Sequence, residues 1–176
     1  ANGRVLVDRI LQQTGVPVQV LSGEEEAYLG YIGLVNSTTE TTGLMADLGG
    51  GSLKLVGFKD RLNQHSVTLD FGALSLMEKY ELGDLPRAES LRAFEAFLDE
   101  TFAQIPWLDQ YPKLLGIGGT FRSLARVYRH HVQYVPDLTD GITIPAPAVE
   151  ELYRRLSTMD LASRRQVPGL EQARAD

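Results

Sequence analysis

The stretch MADLGGGSLKLVGF, Met45–Phe58, decides how the chain is read. An apolar run ends on the carboxylate of Asp47, Gly49, Gly50 and Gly51 follow, and a second apolar run resumes after Ser52, carrying Lys54. Two strands flanking a glycine turn are the expected result. Downstream, NQHSVTLD (Asn63–Asp70) reads as a third strand joined to the second by a turn near Asp60 to Asn63. Upstream, SGEEEAYLGYIGLV (Ser22–Val35) reads as a helix. Ser22 is its N-cap and Glu25, three residues on, completes a capping box.

The flanks extend this pattern. GRVLVDRILQQTG (Gly3–Gly15) places Val5, Ile10 and Leu11 on one helical face, with Gly15 as the stop. VPVQVL (Val16–Leu21) reads as a short buried strand. After Gly72, ALSLMEKY predicts a short helix, and Pro86 opens a longer one in which Leu91, Phe94, Leu98 and Phe102 recur at helical spacing. KLLGIGGT is a strand entering a glycine turn, and FRSLARVYRHH is the helix it feeds. PAPAVEELYRRLSTM and DLASRRQV add two further helices. A meander of three strands, then helices, then strand, glycines and helix predicts an α/β or α+β layer fold. The same order suits an RNase H-like core.

Composition narrows the function. The 176 residues suffice for one domain with a real core, and 43% hydrophobic content is that of a folded protein. A net charge of −6 gives no electrostatic support for nucleic acid or an anionic membrane as partner. No cysteine is present, which excludes disulfide scaffolds and thiolate metal sites and fits a cytoplasmic protein. No apolar run reaches the ~20 residues that span a bilayer. The opening ANGRVLVDRI and closing EQARAD suggest a domain cut from a longer protein.

Three constellations carry chemistry. In DLGGGS, glycines let backbone N–H groups face an anion, Ser52 adds a hydroxyl, and Asp47 can hold a divalent cation; the plain alternative is a tight turn needing positive φ. In SGEEEA, the helix dipole and capping box explain Glu24 and Glu25. Glu26 instead shares a stripe with Gly30 and Gly33, so it either packs beside a close-approaching element or orients a water. In GIGGTFRSLARVYRHH (Gly116–His131), glycines before a helix present N–H groups to an anion, and Arg122, Arg126 and Arg129 form a basic stripe. Arg129 reads as part of a solvated face, and His130 and His131 as charges at the helix C-terminus.

In this order and spacing, Asn2-Gly3, VLSGEEEAYLGYIG, MADLGGGSLKL, GIGGTFRSLA and the final PGLEQARAD resemble the exopolyphosphatase / guanosine pentaphosphate phosphatase (Ppx/GppA) family. The resemblance implies an RNase H-like domain of the actin/sugar-kinase/heat-shock ATPase (ASKHA) fold, a mixed sheet flanked by helices. Residues 1–176 would be one domain, the second of two that close on phosphate, with the first phosphate loop outside the chain and the isolated piece inactive. It implies hydrolysis of phosphoanhydride bonds in polyphosphate or guanosine pentaphosphate with Mg²⁺, in a parent protein that forms homodimers. By position, Glu26 matches the catalytic glutamate, Asp47 the metal-associated acid, and Gly49, Gly50, Gly51 and Ser52 the second phosphate loop. Gly118, Gly119, Thr120 and Arg122 match the later glycine motif. Where the family loop runs on to a glutamate, this chain has Leu53 and Lys54. That cation would compete with Mg²⁺ or neutralise phosphate itself, or, by strand alternation, point to solvent. Two alternatives remain: a module that senses polyphosphate or an alarmone without hydrolysing it, and a sugar-kinase or chaperone-type ATPase domain.

Overall fold

The computed structural model describes residues 3–133 and 140–175; Asn2 and Asp176, which belong to the end blocks of the resemblance, lie outside them. Its sheet is built from β1 (Gly43–Leu48), β2 (Leu53–Lys59), β3 (Leu62–Leu69) and β4 (Leu114–Ile117). The spatial order is β3-β2-β1-β4, antiparallel along the meander and parallel between β1 and β4. The helices are α1 (Gly3–Thr14), α2 (Gly23–Ser37), α3 (Ala73–Tyr80), α4 (Ala88–Ala103), α5 (Gly118–His131), α6 (Ala146–Ser157) and the single turn α7 (Leu161–Arg164).

The hairpin between β2 and β3 turns on Asp60 and Arg61, at φ 52° and 58°. Two consecutive left-handed residues match the right-handed twist of the strands they join. Arg61 then does a second task. Its guanidinium donates to the carbonyls of Val35 and Thr38 at the C-terminal end of α2, while the Tyr31 hydroxyl donates to Arg61 O at 2.8 Å. A cation there complements the helix dipole and ties α2 to the hairpin.

The two faces of the sheet bury different side chains. Met45, Val56 and Phe58 face α2 and meet Ala27, Tyr31, Leu34 and Val35, which recur at helical spacing. Leu44, Ala46, Leu53 and Leu55 face the other way, toward Phe102, Ile105, Trp107 and Phe121. β2 is therefore apolar on both faces, as the middle strand of a covered sheet must be. Each such side chain, fully buried, contributes about 1.5–3 kcal/mol. A smaller cluster of Val127, Leu152 and Val167 joins α5 and α6 to the segment after α7. That segment is pinned by Arg164, buried, whose guanidinium donates to carbonyls of Gly83, Asp84 (2.8 Å), Met159 (2.8 Å) and Ala175 (2.5 Å).

Two expectations need correction. Val16–Leu21 is not a buried strand: it runs as exposed coil, with Val16 and Val20 more than half accessible. The sheet's strands pair among themselves, and Pro17 has no N–H to offer a neighbour. The long helix opens at Ala88 with Arg87 as its cap, not at Pro86. The face of α1 carrying Val5, Ile10 and Leu11 forms as a helix face, yet α1 buries no residue among those described.

The glycine loop between β1 and β2 is held from below by α3. Ala73 N donates to Gly49 O (2.9 Å), and Leu74 N (3.0 Å) and Ser75 N (3.2 Å) donate to Gly50 O. This contact exists because Gly72 has no side chain. A Cβ there would strike Gly49 O, Gly50 C (2.6 Å) and Gly51 N (2.7 Å), all backbone. Gly72→Ala is expected to cost about 1–3 kcal/mol, the range for overpacking, and to shift the amide resonances of Gly49–Ser52. Urea denaturation and amide NMR check this; an unchanged midpoint with unchanged amides contradicts it.

Candidate functional site

The site starts from cross-strand register. Asp47 of β1 lies opposite Lys54 of β2, and Lys54 lies opposite Thr68 of β3. Alternation puts all three on the face that carries Met45, Val56 and Phe58, the face covered by α2. A polar row thus closes the end of an apolar face, at the point where α2 begins.

The sequence of α2 sets its N-terminal turn on that row. Ser22 Oγ accepts from Glu25 N (3.2 Å) and Glu25 Oε2 accepts from Ser22 N (2.7 Å), completing the capping box. Gly23 rests on Thr68: its carbonyl accepts from Thr68 Oγ1 (3.3 Å), and a Cβ would meet the Thr68 methyl at 3.0 Å. Gly30 faces Ile117 and Met45, which a Cβ would meet at 3.5 and 3.9 Å, ordinary contact distances. Gly33 has open space in front of it. Neither Gly30 nor Gly33 is therefore required by close approach; the tight contact is at Gly23, and the seating of this first turn on Thr68 delivers Glu26 over β2.

Lys54 does not point to solvent. Its side chain is 4% exposed, and its ammonium lies 2.9 Å from Glu26 Oε1 and 3.0 Å from Ser52 Oγ. Alternation left Lys54 a choice of faces, but β2 is covered on both and has no outer one. A buried ammonium needs a charged partner, and Glu26, whose side chain is 57% exposed, supplies it from the rim. Asp47 sits deeper. Burial pushes its carboxyl above the usual range, Lys54 pulls it back, and Glu26 raises it further.

The glycine loop fits an anion differently from a turn that requires positive φ. None of Gly49, Gly50 and Gly51 lies in the left-handed region. Gly49 N donates to Ser52 O at 2.9 Å, closing the loop on itself. Among the described residues, the N–H groups of Gly50 and Gly51 have no acceptor, and they are the donors left for an anion. A Cβ on Gly51 would meet only open space.

The later glycine motif meets the same row. Gly118 has φ +85°, and a Cβ on it would come within 2.7 Å of Asp47 Oδ1. The carboxylate thus stands against the start of α5. Thr120 is occupied otherwise: its hydroxyl donates to Leu48 O at 3.0 Å, fixing α5 to the end of β1. Arg122 is exposed. Arg126 pairs with Glu171, and His131 stands 3.8 Å from Glu151. The basic group that reaches the first turn of α5 is instead Arg174, whose guanidinium occupies the space a Cβ on Gly119 would take. Arg174 also contacts Glu171 at 3.3 Å. Sequence reasoning missed Arg174, Gly72 and Thr68. Their roles rest on contacts between distant segments, although Arg174 does stand in the closing PGLEQARAD block.

The donor set can be tested against a divalent cation. Among the described residues, no three acidic or histidine side chains converge to hold a metal ion. Glu26 contacts the Lys54 ammonium instead, and Asp47 lies opposite Lys54 in the strand register. An ion on the Glu26 carboxylate would stand roughly 4 Å from Nζ. There two unit charges repel by about 4 kcal/mol at an effective dielectric of about 20, and a divalent ion doubles that. On this wall, the Lys54 ammonium holds the contact at Glu26 Oε1 that a divalent cation would take.

The Asp47 environment makes a signed prediction. A carboxyl whose folded value lies above its unfolded one is favoured, relative to the unfolded chain, below the unfolded value. That advantage is lost as pH rises through the folded one. Asp47→Asn is therefore expected to stabilise the fold at neutral pH, with the gain closing as pH falls below the ordinary carboxylate range. Thermal melts of both proteins across pH check this, and a gain that grows toward acid contradicts it.

Comparison with known proteins agrees with this architecture. Exopolyphosphatase 1 of Mycobacterium tuberculosis is 26% identical over 183 aligned positions, covering 99% of this chain and 52% of that protein. The guanosine-5'-triphosphate,3'-diphosphate pyrophosphatase of Pseudoalteromonas atlantica is 28% identical over 128 residues, 70% of this chain and 25% of that protein. The chain spans about half the length of the former and a quarter of the latter. An exopolyphosphatase crystal structure from Cytophaga hutchinsonii superposes with a TM-score of 0.88 at 23% identity, covering 100% of this chain and 59% of that one. The Aquifex aeolicus Ppx/GppA family member gives 0.82 at 22% identity, covering 99% and 57%. The fold is the RNase H-like fold of the ASKHA group. The Ppx/GppA phosphatase family model matches residues 1–176, and the chain belongs to that family.

Proposed function

We propose that the protein containing this chain hydrolyses the terminal phosphoanhydride bond of polyphosphate or guanosine pentaphosphate, with Glu26 as the base. We further propose that residues 1–176 form one wall of the cleft, the second domain of a two-domain enzyme. The observation that carries this reading is the placement of the Glu26 carboxylate at the rim. It is anchored 2.9 Å from a buried ammonium that also contacts Ser52 of the loop whose Gly50 and Gly51 N–H groups are uncommitted.

Phosphoryl transfer needs positioning and charge stabilisation more than covalent help from the protein. The loop N–H groups and Ser52 hold the terminal phosphate, and the first turn of α5 with Arg174 faces the same end of the sheet. Glu26 orients a water and takes its proton as the water oxygen bonds to the terminal phosphorus. The bridging P–O bond breaks and its electron pair leaves with the shortened chain. Glu26 then releases the proton to solvent, so the products are inorganic phosphate and the polyphosphate or guanosine nucleotide shortened by one phosphate.

Glu26→Gln in the full-length protein is expected to lower kcat for phosphate release by about 10²–10⁴-fold, the usual worth of a general base, while leaving substrate affinity within a few-fold. Phosphate release and equilibrium binding on both substrates check this. Wild-type turnover in the variant removes Glu26 from the reaction. The ion pair that already engages Glu26 also suits a module that binds these ligands without cleaving them. Tight binding by the wild type with no phosphate released supports that second reading.

A further inference from the structure

We infer that Lys54 is the resident cation of this site: its ammonium positions Glu26 and meets the substrate's phosphate charge where a divalent ion would otherwise stand. The inference rests on the hydrolase reading for its substrate, but its structural basis is independent of it.

Three observations carry it. First, Lys54 is the buried charged residue of a middle strand whose other buried residues are apolar on both faces, and burying an ammonium there is costly unless it is paired. Solvation alone does not explain its place. Second, its donors are not all taken. An ammonium has three donors; Glu26 of α2 takes one and Ser52 of the glycine loop another, and the third has no partner among the described residues. Third, it is flanked by what a metal centre would need, Glu26 at the rim and Asp47 directly across the ladder. Two carboxylates and one ammonium leave a single net negative charge before substrate arrives. A further dication would have to displace Lys54 from a packed strand position.

An ammonium is a compact point charge with rotatable donors and suits a phosphate oxygen as it suits a carboxylate. Lys54 is thus a positioning residue toward Glu26, and through Ser52 it adjoins the loop that is proposed to hold phosphate.

The test uses the full-length protein and has two arms. In the first, free Mn²⁺ is measured by electron paramagnetic resonance during titration of wild type, Glu26→Gln, Asp47→Asn and Lys54→Glu. Wild type, Glu26→Gln and Asp47→Asn are expected to bind equal amounts, and Lys54→Glu to gain one ion. A wild-type Mn²⁺ ion that disappears in Asp47→Asn or Glu26→Gln overturns the inference. Should Lys54→Glu fail to fold, the comparison among the other three proteins still decides. In the second arm, phosphate release is measured in excess chelator and in Mg²⁺. Wild-type rates are expected to agree within about twofold, while Lys54→Met loses about 100-fold under both conditions, a loss of transition-state stabilisation. A wild-type rate that collapses in chelator and returns with Mg²⁺ overturns the inference. If no phosphoanhydride is cleaved under any condition, the hydrolase reading fails while the Mn²⁺ arm still judges Lys54.

Discussion

A single buried ammonium organises this end of the molecule. Lys54 sits in the middle strand of a sheet covered on both faces, where charge is tolerated only with a partner in contact. That partner, Glu26, comes from a different element, so helix and sheet must be placed together for either charge to be stable. The capping box supplies the coordination. Glu25 is spent on the backbone of Ser22, which fixes the first turn, and the next residue is then directed at β2. Neighbouring glutamates do unlike work because successive helix positions face different ways.

The glycines act mostly through contact. Gly23 lets the first turn of α2 settle on Thr68, and Gly72 lets the start of α3 press on the loop. Gly118 alone in the site combines a left-handed φ with a close neighbour, the Asp47 carboxylate. The result is a loop whose carbonyls are engaged from below and whose N–H groups at Gly50 and Gly51 remain uncommitted. Preorganised donors of this kind cost no rearrangement when charge arrives.

Much of the scaffold was legible because local signals and tertiary structure agree. The meander, a turn opening at Asp60, the capping box and the passage from β4 through glycines into α5 all follow from residues close in sequence, although α5 starts at Gly118 rather than after the glycines. What was not legible depends on distant partners. Val16–Leu21 has strand-like residues, but pairing is decided by whether another strand is available. Arg174 reaches Gly119 only because the closing segment runs along α5, with Glu171 on Arg126 and Gly169 under the Arg126 carbonyl. The direction of Lys54 was within reach. β2 is the middle strand of a meander with apolar residues at both parities, whereas β3 carries Asn63, Gln64, His65 and Ser66. That contrast already marks β2 as covered on both sides, with no outer face for a lysine.

The account stands on where the Lys54 ammonium is when an anion and a divalent ion compete for the site. A crystal structure of the protein grown with Mn²⁺ and phosphate, collected for anomalous scattering, shows this directly. The predicted result is Lys54 Nζ in contact with Glu26 and phosphate on the Gly50–Gly51 loop, with no manganese peak between Glu26 and Asp47. A manganese ion ligated by those two carboxylates, with Lys54 turned away, would contradict it.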